Sequence, residues 1–99
     1  MVLPIQLDQE RIAEFCRRNH IRKLALFGSV LTDHFTDESD VDVLVEFQKN
    51  HVPGLFRFVG MEDELGEIIG RKADLRTAAE LSRYFRDEVV AHAEPIYAA

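Results

Sequence analysis

The spacing of apolar and polar residues along the chain predicts helices and strands in alternation. Apolar residues three or four apart indicate helices, whereas short apolar runs and strict alternation indicate strands. Asp8 and Thr77 stand at N-cap positions, and Gly70 stands where a helix would end. The predicted helices cover residues 9–19, 29–35 (a turn or short helix), 55–69 and 78–93, and the predicted strands cover residues 23–27, 40–47 and 72–76. This order is typical of an α/β or α+β fold, with helices on one side of a small sheet.

The end of the chain is less regular. Ser82 is the position where the last predicted helix would break, and Pro95 prevents its continuation because proline lacks the backbone N–H. Ile96 and Tyr97 are expected to pack back on the core. The sequence predicts no strand in this last segment.

Composition and charge restrict the classes of function. With 99 residues, of which 46% are apolar and 30% charged, the chain fits a single domain over residues 1–99. Its 12 basic and 18 acidic residues give a net charge of −6, without the Lys and Arg cluster that nonspecific nucleic-acid binding needs. We therefore expect no direct nucleic-acid binding. A nucleotide ligand would need metal ions to mask its charge.

Cysteine usage and hydropathy predict a cytoplasmic location. The single cysteine, Cys16, excludes an intramolecular disulfide. Residues 1–6 lack the basic and long apolar regions of a signal peptide. The apolar runs are also far shorter than the ~18 residues that a membrane span needs, so no membrane partner is expected.

Two aspartates at the head of the second predicted strand are the first candidates for a functional site. Asp40 and Asp42 lie two residues apart, so both side chains should point to one face of the strand, about 7 Å apart. Such carboxylates can hold hard divalent cations, and two cations roughly 4 Å apart suit phosphoryl transfer. The alternative is that both acids are simply solvated, since D-x-D is a common pattern.

Gly28 and Ser29 end the first predicted strand and open a turn. Free backbone N–H groups and a hydroxyl at such a turn can bind phosphate, and glycine lets the phosphate approach closely. The alternative is that Gly28 only ends the strand and Ser29 only caps the helix. Combined with Asp40 and Asp42, the pair is interpreted as a phosphate cradle facing a metal site.

Asp74 is the candidate for a third carboxylate. It lies mid-strand between Ala73 and Leu75, where an uncompensated charge is costly, so it should bind metal or pair with Lys72 or Arg76. Three clustered acids without a metal are expected to raise the pKa of at least one of them by mutual repulsion.

Other reactive residues are expected to be structural or exposed. Cys16 shares an apolar helix face with Ile12 and Phe15, which indicates a core position. The histidines lack the spacing of a zinc site and are expected at the surface: His20, His34, His51 and His92. The acids of the long helix are expected on its solvated side: Glu62, Asp63, Glu64 and Glu67.

Three stretches resemble the motifs of a known family. Gly28-Ser29, residues 39–45 (SDVDVLV) and residues 72–75 (KADL) are similar to those of the minimal nucleotidyltransferase (MNT) family, a compact branch of the DNA polymerase beta-like superfamily. The resemblance covers most of the chain. It implies a small mixed sheet flanked by helices, with Asp40, Asp42 and Asp74 as metal-binding catalytic residues and Gly28 and Ser29 as nucleotide-binding residues.

The resemblance also implies an activity and a partner. Family members act as antitoxins of HEPN-domain ribonuclease toxins, and they can transfer AMP from ATP to a tyrosine of the toxin with two Mg²⁺ ions. A hetero-oligomer with the toxin is therefore expected. Because many members carry Arg and Gly where this chain has Thr32 and Asp33, nucleotide binding is expected to be weaker, and Thr32→Arg is expected to tighten it. The alternative is a weak or inactive antitoxin that neutralises the toxin by binding alone.

Overall fold

The architecture is α+β, as predicted, in a computed structural model that describes residues 3–99. Its helices are α1 (Gln9–Arg18), α2 (Leu55–Ile69) and α3 (Arg86–His92). Its strands are β1 (Ile21–Phe27), β2 (Val41–Phe47), β3 (Ala73–Arg76) and β4 (Glu94–Ala98). Two short 3₁₀ turns cover Gly28–Leu31 and Ala78–Glu80. Helices α1 and α2 and strands β1 to β3 each begin and end within two residues of the bounds predicted from the sequence.

The four strands form one mixed sheet in the order β3-β2-β1-β4. The β1–β2 and β1–β4 pairs are antiparallel, whereas β2 and β3 are parallel and are joined through α2. The register places Leu26 beside Val43, and Asp42 beside both Phe27 and Asp74. Because side chains alternate along a strand, this register puts the valines of β2 on one face of the sheet and Asp42 on the other.

Helices α1 and α2 cover the apolar face. Their helix-period apolar residues, among them Phe15 and Leu65, are fully buried against Leu24, Val43 and other strand residues in one core cluster. Asp8 caps α1 by accepting a hydrogen bond from the N–H of Arg11 (3.2 Å). The predicted placement of the helices on one side of the sheet is therefore correct for α1 and α2. It is wrong for α3, which lies toward the opposite face.

Strand β4 was not predicted and is a correction to the sequence analysis. It pairs antiparallel with β1, with Pro95 beside Ala25 and Tyr97 beside Leu24. Proline is tolerated because β4 is an edge strand, where an N–H can be missing without breaking a second ladder. The expectation that Ile96 and Tyr97 pack on the core is confirmed, since both are half-buried against it.

The helix predicted over residues 78–93 is also wrong in its first half. Thr77 does cap a turn, through a capping box with Glu80, but the turn ends after three residues. The Arg86 guanidinium then donates hydrogen bonds to three carbonyls of this turn, those of Ala78 (2.8 Å), Ala79 (3.3 Å) and Leu81 (3.1 Å). Because a side chain satisfies these carbonyls, the chain can turn before α3 begins instead of continuing as a helix.

The C-terminal segment approaches the second face of the sheet. Val90 and Ala93 line a groove of about 390 Å³ together with Ala25 and Leu44, which lie on the face opposite the core. Between residues 3 and 99, no helix combines the length and the apolar character needed to cross a bilayer. The prediction that residues 1–6 form no signal peptide includes residues 1 and 2, which lie outside the described residues.

Candidate active site

The second face of the sheet brings the three candidate aspartates to one end. Asp42 and Asp74 are register partners on the parallel strands β2 and β3, so their side chains leave the same face side by side. Asp40 precedes β2 and lies two residues before Asp42, on the same face. The parallel pairing with β3 therefore makes neighbours of acids that are more than thirty positions apart in the sequence.

Gly28 lies directly against Asp42. Its φ of +77° is in the left-handed region, and a Cβ built on it would overlap the carboxylate of Asp42. Glycine is therefore required at this position for both its backbone conformation and its lack of a side chain. Ser29 follows in the 3₁₀ turn, so the predicted phosphate cradle and the aspartates share one end of the sheet.

Burial and neighbouring charges raise the pKa of Asp42. Partial burial is the larger cause, the negative charges of Asp74 and then Asp40 add to it, and Arg76 offsets part of the effect. The expected raised pKa is therefore found, although desolvation contributes more than the predicted repulsion. A bound cation would therefore favour the charged form of Asp42.

The other two aspartates form ion pairs with basic residues at the two ends of β3. Lys72 Nζ lies 3.9 Å from Asp40 Oδ2, and Arg76 Nε lies 3.3 Å from Asp74 Oδ1. Within residues 3–99, no three His, Cys, Asp or Glu side chains are arranged to hold one metal ion. The donor set suits Mg²⁺, because three carboxylates share one face and Asp42 lacks a cation partner among the described residues. Asp40 and Asp74 would have to turn from their basic partners to complete such a site.

Arg71 positions the loop that leads to Asp40, a contact that sequence analysis missed. Its guanidinium donates hydrogen bonds to the carbonyls of Thr36 (3.0 Å) and Ser39 (3.4 Å) and lies 4.6 Å from the ring centre of Phe35. The Thr36 N–H also donates to the Ser39 hydroxyl (2.9 Å). No local pattern signals these contacts, because the two segments meet only in the folded sheet.

Glu62 positions the strand that carries Asp74. Its carboxylate accepts a hydrogen bond from the N–H of Leu75 (2.7 Å), on the outer edge of β3. Glu64 forms an ion pair with Arg18 of α1. The prediction that the acids of α2 lie on its solvated side is therefore wrong for Glu62, which is half-buried. It is confirmed for Asp63 and Glu67, which are exposed, and Glu64 forms its ion pair at the surface.

A family model of the nucleotidyltransferase domain matches residues 9–95. The chain belongs to this family. The match includes the Gly28 turn and all three aspartates, and the mixed four-stranded sheet is the fold that the resemblance to minimal nucleotidyltransferases implies.

Two curated relatives match part of this chain. A protein of Methanocaldococcus jannaschii, provisionally named a protein adenylyltransferase, is 39% identical over 57 residues, which are 58% of this chain and 57% of the relative. The protein adenylyltransferase MntA of Thermococcus cleftensis is 34% identical over 62 residues, 63% of this chain and 61% of the relative. The chain thus spans less than two thirds of the length of either relative.

Two solved complexes share the nucleotidyltransferase fold. A toxin–antitoxin structure with AMP-PNP has a TM-score of 0.72 at 19% identity, covering 94% of this chain and 75% of that one. A complex of the tri-AMPylated Shewanella oneidensis HEPN toxin with its MNT antitoxin has a TM-score of 0.64 at 18% identity, covering 92% and 70%. At these identities the similarity establishes the fold alone.

Thr32 has a structural role in the turn that follows β1. Its hydroxyl donates a hydrogen bond to the Ser29 carbonyl (2.9 Å) and accepts one from the His34 N–H (3.1 Å). Thr32 therefore closes the turn that is predicted to bind phosphate, and it also lines a groove beside Gly28. The cation that the resemblance implies at this position is absent, and the threonine found there stabilises the turn.

The remaining candidates behave as predicted. Burial raises the pKa of the Cys16 thiol to about 12, with Arg17 opposing the effect, so this buried cysteine is no nucleophile at neutral pH. All four histidines are exposed: His20, His34, His51 and His92. The rings of His20 and His51 stack with their centres 4.1 Å apart, away from the aspartates.

Proposed function

We propose that this nucleotidyltransferase transfers AMP from ATP to a hydroxyl of a protein partner. The observation that carries the proposal is the pairing of Asp42 with Asp74 on one face, beside the glycine that leaves room for the Asp42 carboxylate. Asp42 and Asp74 do not contribute to the core, because α1 and α2 pack against the opposite face of the sheet. The arrangement concentrates negative charge next to a turn that can bind phosphate.

The mechanism follows from the placement of the residues. Ser29 and the backbone at Gly28 would hold the outer phosphates of ATP. Asp40, Asp42 and Asp74 would hold two Mg²⁺ ions, which supply charge neutralisation at the phosphates when bound. Asp74 would accept the proton of the attacking hydroxyl. The hydroxyl oxygen forms a bond to the α-phosphorus, the bond from that phosphorus to the bridging oxygen breaks, and pyrophosphate leaves.

The proposed acceptor is a tyrosine of a HEPN-domain toxin. The related complexes contain a toxin with AMP-PNP in one case and a tri-AMPylated HEPN toxin in the other, and MntA is a protein adenylyltransferase. The net charge of −6 is suited to a ribonuclease, whose RNA-binding surface needs basic residues. We propose that the two proteins form a hetero-oligomer in the cytoplasm.

Co-expression with the product of the adjacent gene tests the proposal. The expected result is a partner whose intact mass increases by one or more AMP units, with ATP present and a tyrosine identified by peptide mapping. The matched control is Asp63→Asn, which removes an exposed acid of α2 and should leave the mass increase unchanged. A partner that gains no mass and forms no complex contradicts the proposal.

A binding-only antitoxin is the second candidate function. It is favoured by the ion pairs that hold Asp40 and Asp74, and by Thr32, whose hydroxyl is occupied within the turn. This candidate predicts a stable complex without any mass increase. It also predicts that Asp42→Asn neutralises the toxin as well as the unmodified chain does, whereas the AMP-transfer proposal predicts loss of neutralisation.

A further inference from the structure

The basic residues around Asp74 form a regular pattern on the site face. Lys72, Asp74 and Arg76 are two residues apart, so their side chains leave the same side of the strand. Arg76 reaches Asp74 with two nitrogens, at 3.3 Å for Nε and 3.4 Å for Nη2. Lys72 reaches across to Asp40 at 3.9 Å. Two of the three aspartates therefore have a basic partner from a single short segment.

These pairs are exposed enough to exchange. The side chains of Lys72 and Arg76 are 78% and 48% exposed, and exposed ion pairs contribute little to stability. A divalent cation has twice the charge of an ammonium or guanidinium group and prefers carboxylate oxygen, so it can displace either one. Displacement leaves two positive side chains on the face where three carboxylates have just been neutralised.

The phosphate cradle itself contains no Lys or Arg. The turn and the loop after Gly28 read Ser29, Val30, Leu31, Thr32, Asp33 and His34. A triphosphate bound there needs positive charge from another segment. Lys72 directly precedes β3, the strand next to β2, and Arg76 ends it. The charge of Arg76 already acts on Asp42.

We propose that Lys72 and Arg76 are exchangeable counter-ions, which neutralise Asp40 and Asp74 in the empty site and contact the nucleotide phosphates once metal ions occupy those aspartates. The inference rests on the proposed nucleotide transfer and adds two binding residues to it. It gives each side chain opposite effects on two ligands. Each residue competes with a metal ion that binds alone, and each assists the nucleotide that binds with metal.

Binding measurements on the purified chain test these opposite effects. The probes are Mn²⁺ alone, followed by electron paramagnetic resonance of the free ion, and AMP-PNP with Mg²⁺, followed by calorimetry. For Arg76→Ala we expect Mn²⁺ binding about two- to fivefold tighter than in the unmodified chain. We expect AMP-PNP binding about tenfold weaker. Lys72→Ala should change both in the same directions by less, because its ion pair is longer and more exposed.

Two further variants make the test specific. Arg22→Ala removes an exposed strand arginine that pairs with Glu46, and it should change neither affinity. Arg76→Lys keeps the charge but loses the two-nitrogen contact, so both affinities should fall between those of the unmodified chain and Arg76→Ala. Mn²⁺ binding that is unchanged or weaker in Arg76→Ala overturns the inference alone. An unmodified chain that binds neither probe overturns the proposed function as well.

Discussion

The two faces of the sheet are built from the same strands but have opposite properties. In β2, Val41, Val43 and Val45 are buried under α1 and α2, while the alternate positions Asp42 and Leu44 remain only half-buried. These valines of the first face contribute apolar burial. On the second face, the raised pKa of Asp42 shows that its charge is held at a cost to folding. The comparison indicates that one face stabilises the protein and the other is available for binding and chemistry.

The largest expected effect is loss of AMP transfer in Asp42→Asn. Removing this carboxylate should lower transfer to the partner at least about a thousandfold, because it deletes the proposed ligand shared with both neighbouring acids. The thermal stability of the metal-free chain should be higher at pH 7, because the variant removes a charge that is unfavourable in the folded state. A time course of partner mass measures the first effect, and calorimetric Tm measures the second. Full transfer by the variant would remove Asp42 from the site.

Two leucines test the faces directly. Leu24→Ala truncates a fully buried side chain on the covered face and should cost about 2–5 kcal/mol of unfolding free energy, measured with urea. Leu44→Ala makes the same change on the open face and should cost clearly less, because Leu44 is only half-buried. Equal costs for the two variants would mean that the faces do not differ in packing.

Two glycines compare the crowded site face with an exposed helix. Gly28→Ala should destabilise the chain by roughly 1–2 kcal/mol, since L-residues disfavour its positive φ, and should weaken AMP-PNP binding by displacing the Asp42 carboxylate. Gly60→Ala, in the exposed part of α2 with open space around it, should stabilise the chain by up to about 1 kcal/mol. Urea unfolding measures both. A Gly28→Ala variant of unchanged stability would contradict the crowding at Asp42.

The smallest expected effect is in the dependence of stability on pH. The folded pKa of Asp42 lies above its unfolded value, so this group favours folding most at low pH, and that contribution is lost as pH rises through the folded pKa. Asp42→Asn should therefore raise Tm at pH 7, and the difference should vanish below about pH 4, where the carboxyl is protonated in both states. A difference that is constant with pH would mean that the pKa of Asp42 is unshifted. Mg²⁺ should reduce the difference at neutral pH by stabilising the unmodified chain.

Local patterns were enough to predict the elements with strong periodicity. The helix positions of α1 and α2, the alternation in β2 and the glycine at the end of β1 are each encoded within a few neighbouring residues. The candidate acids could be found in the same way, because Asp40, Asp42 and Asp74 stand out against apolar strand sequence. The sequence by itself therefore determined the fold class and the five candidate site residues.

The tertiary structure decided the features that depend on distant contacts. Strand β4 exists because β1 offers it a free edge, and the helix predicted from Ala78 is interrupted because Arg86 satisfies the carbonyls of the preceding turn. Arg71 and Glu62 position the site through bonds to segments more than ten residues away. The sequence leaves open whether Asp74 pairs with Lys72 or with Arg76, and the fold decides this because it places Lys72 beside Asp40. Such contacts have no local periodicity, because their energy depends on which strands become neighbours in the folded sheet.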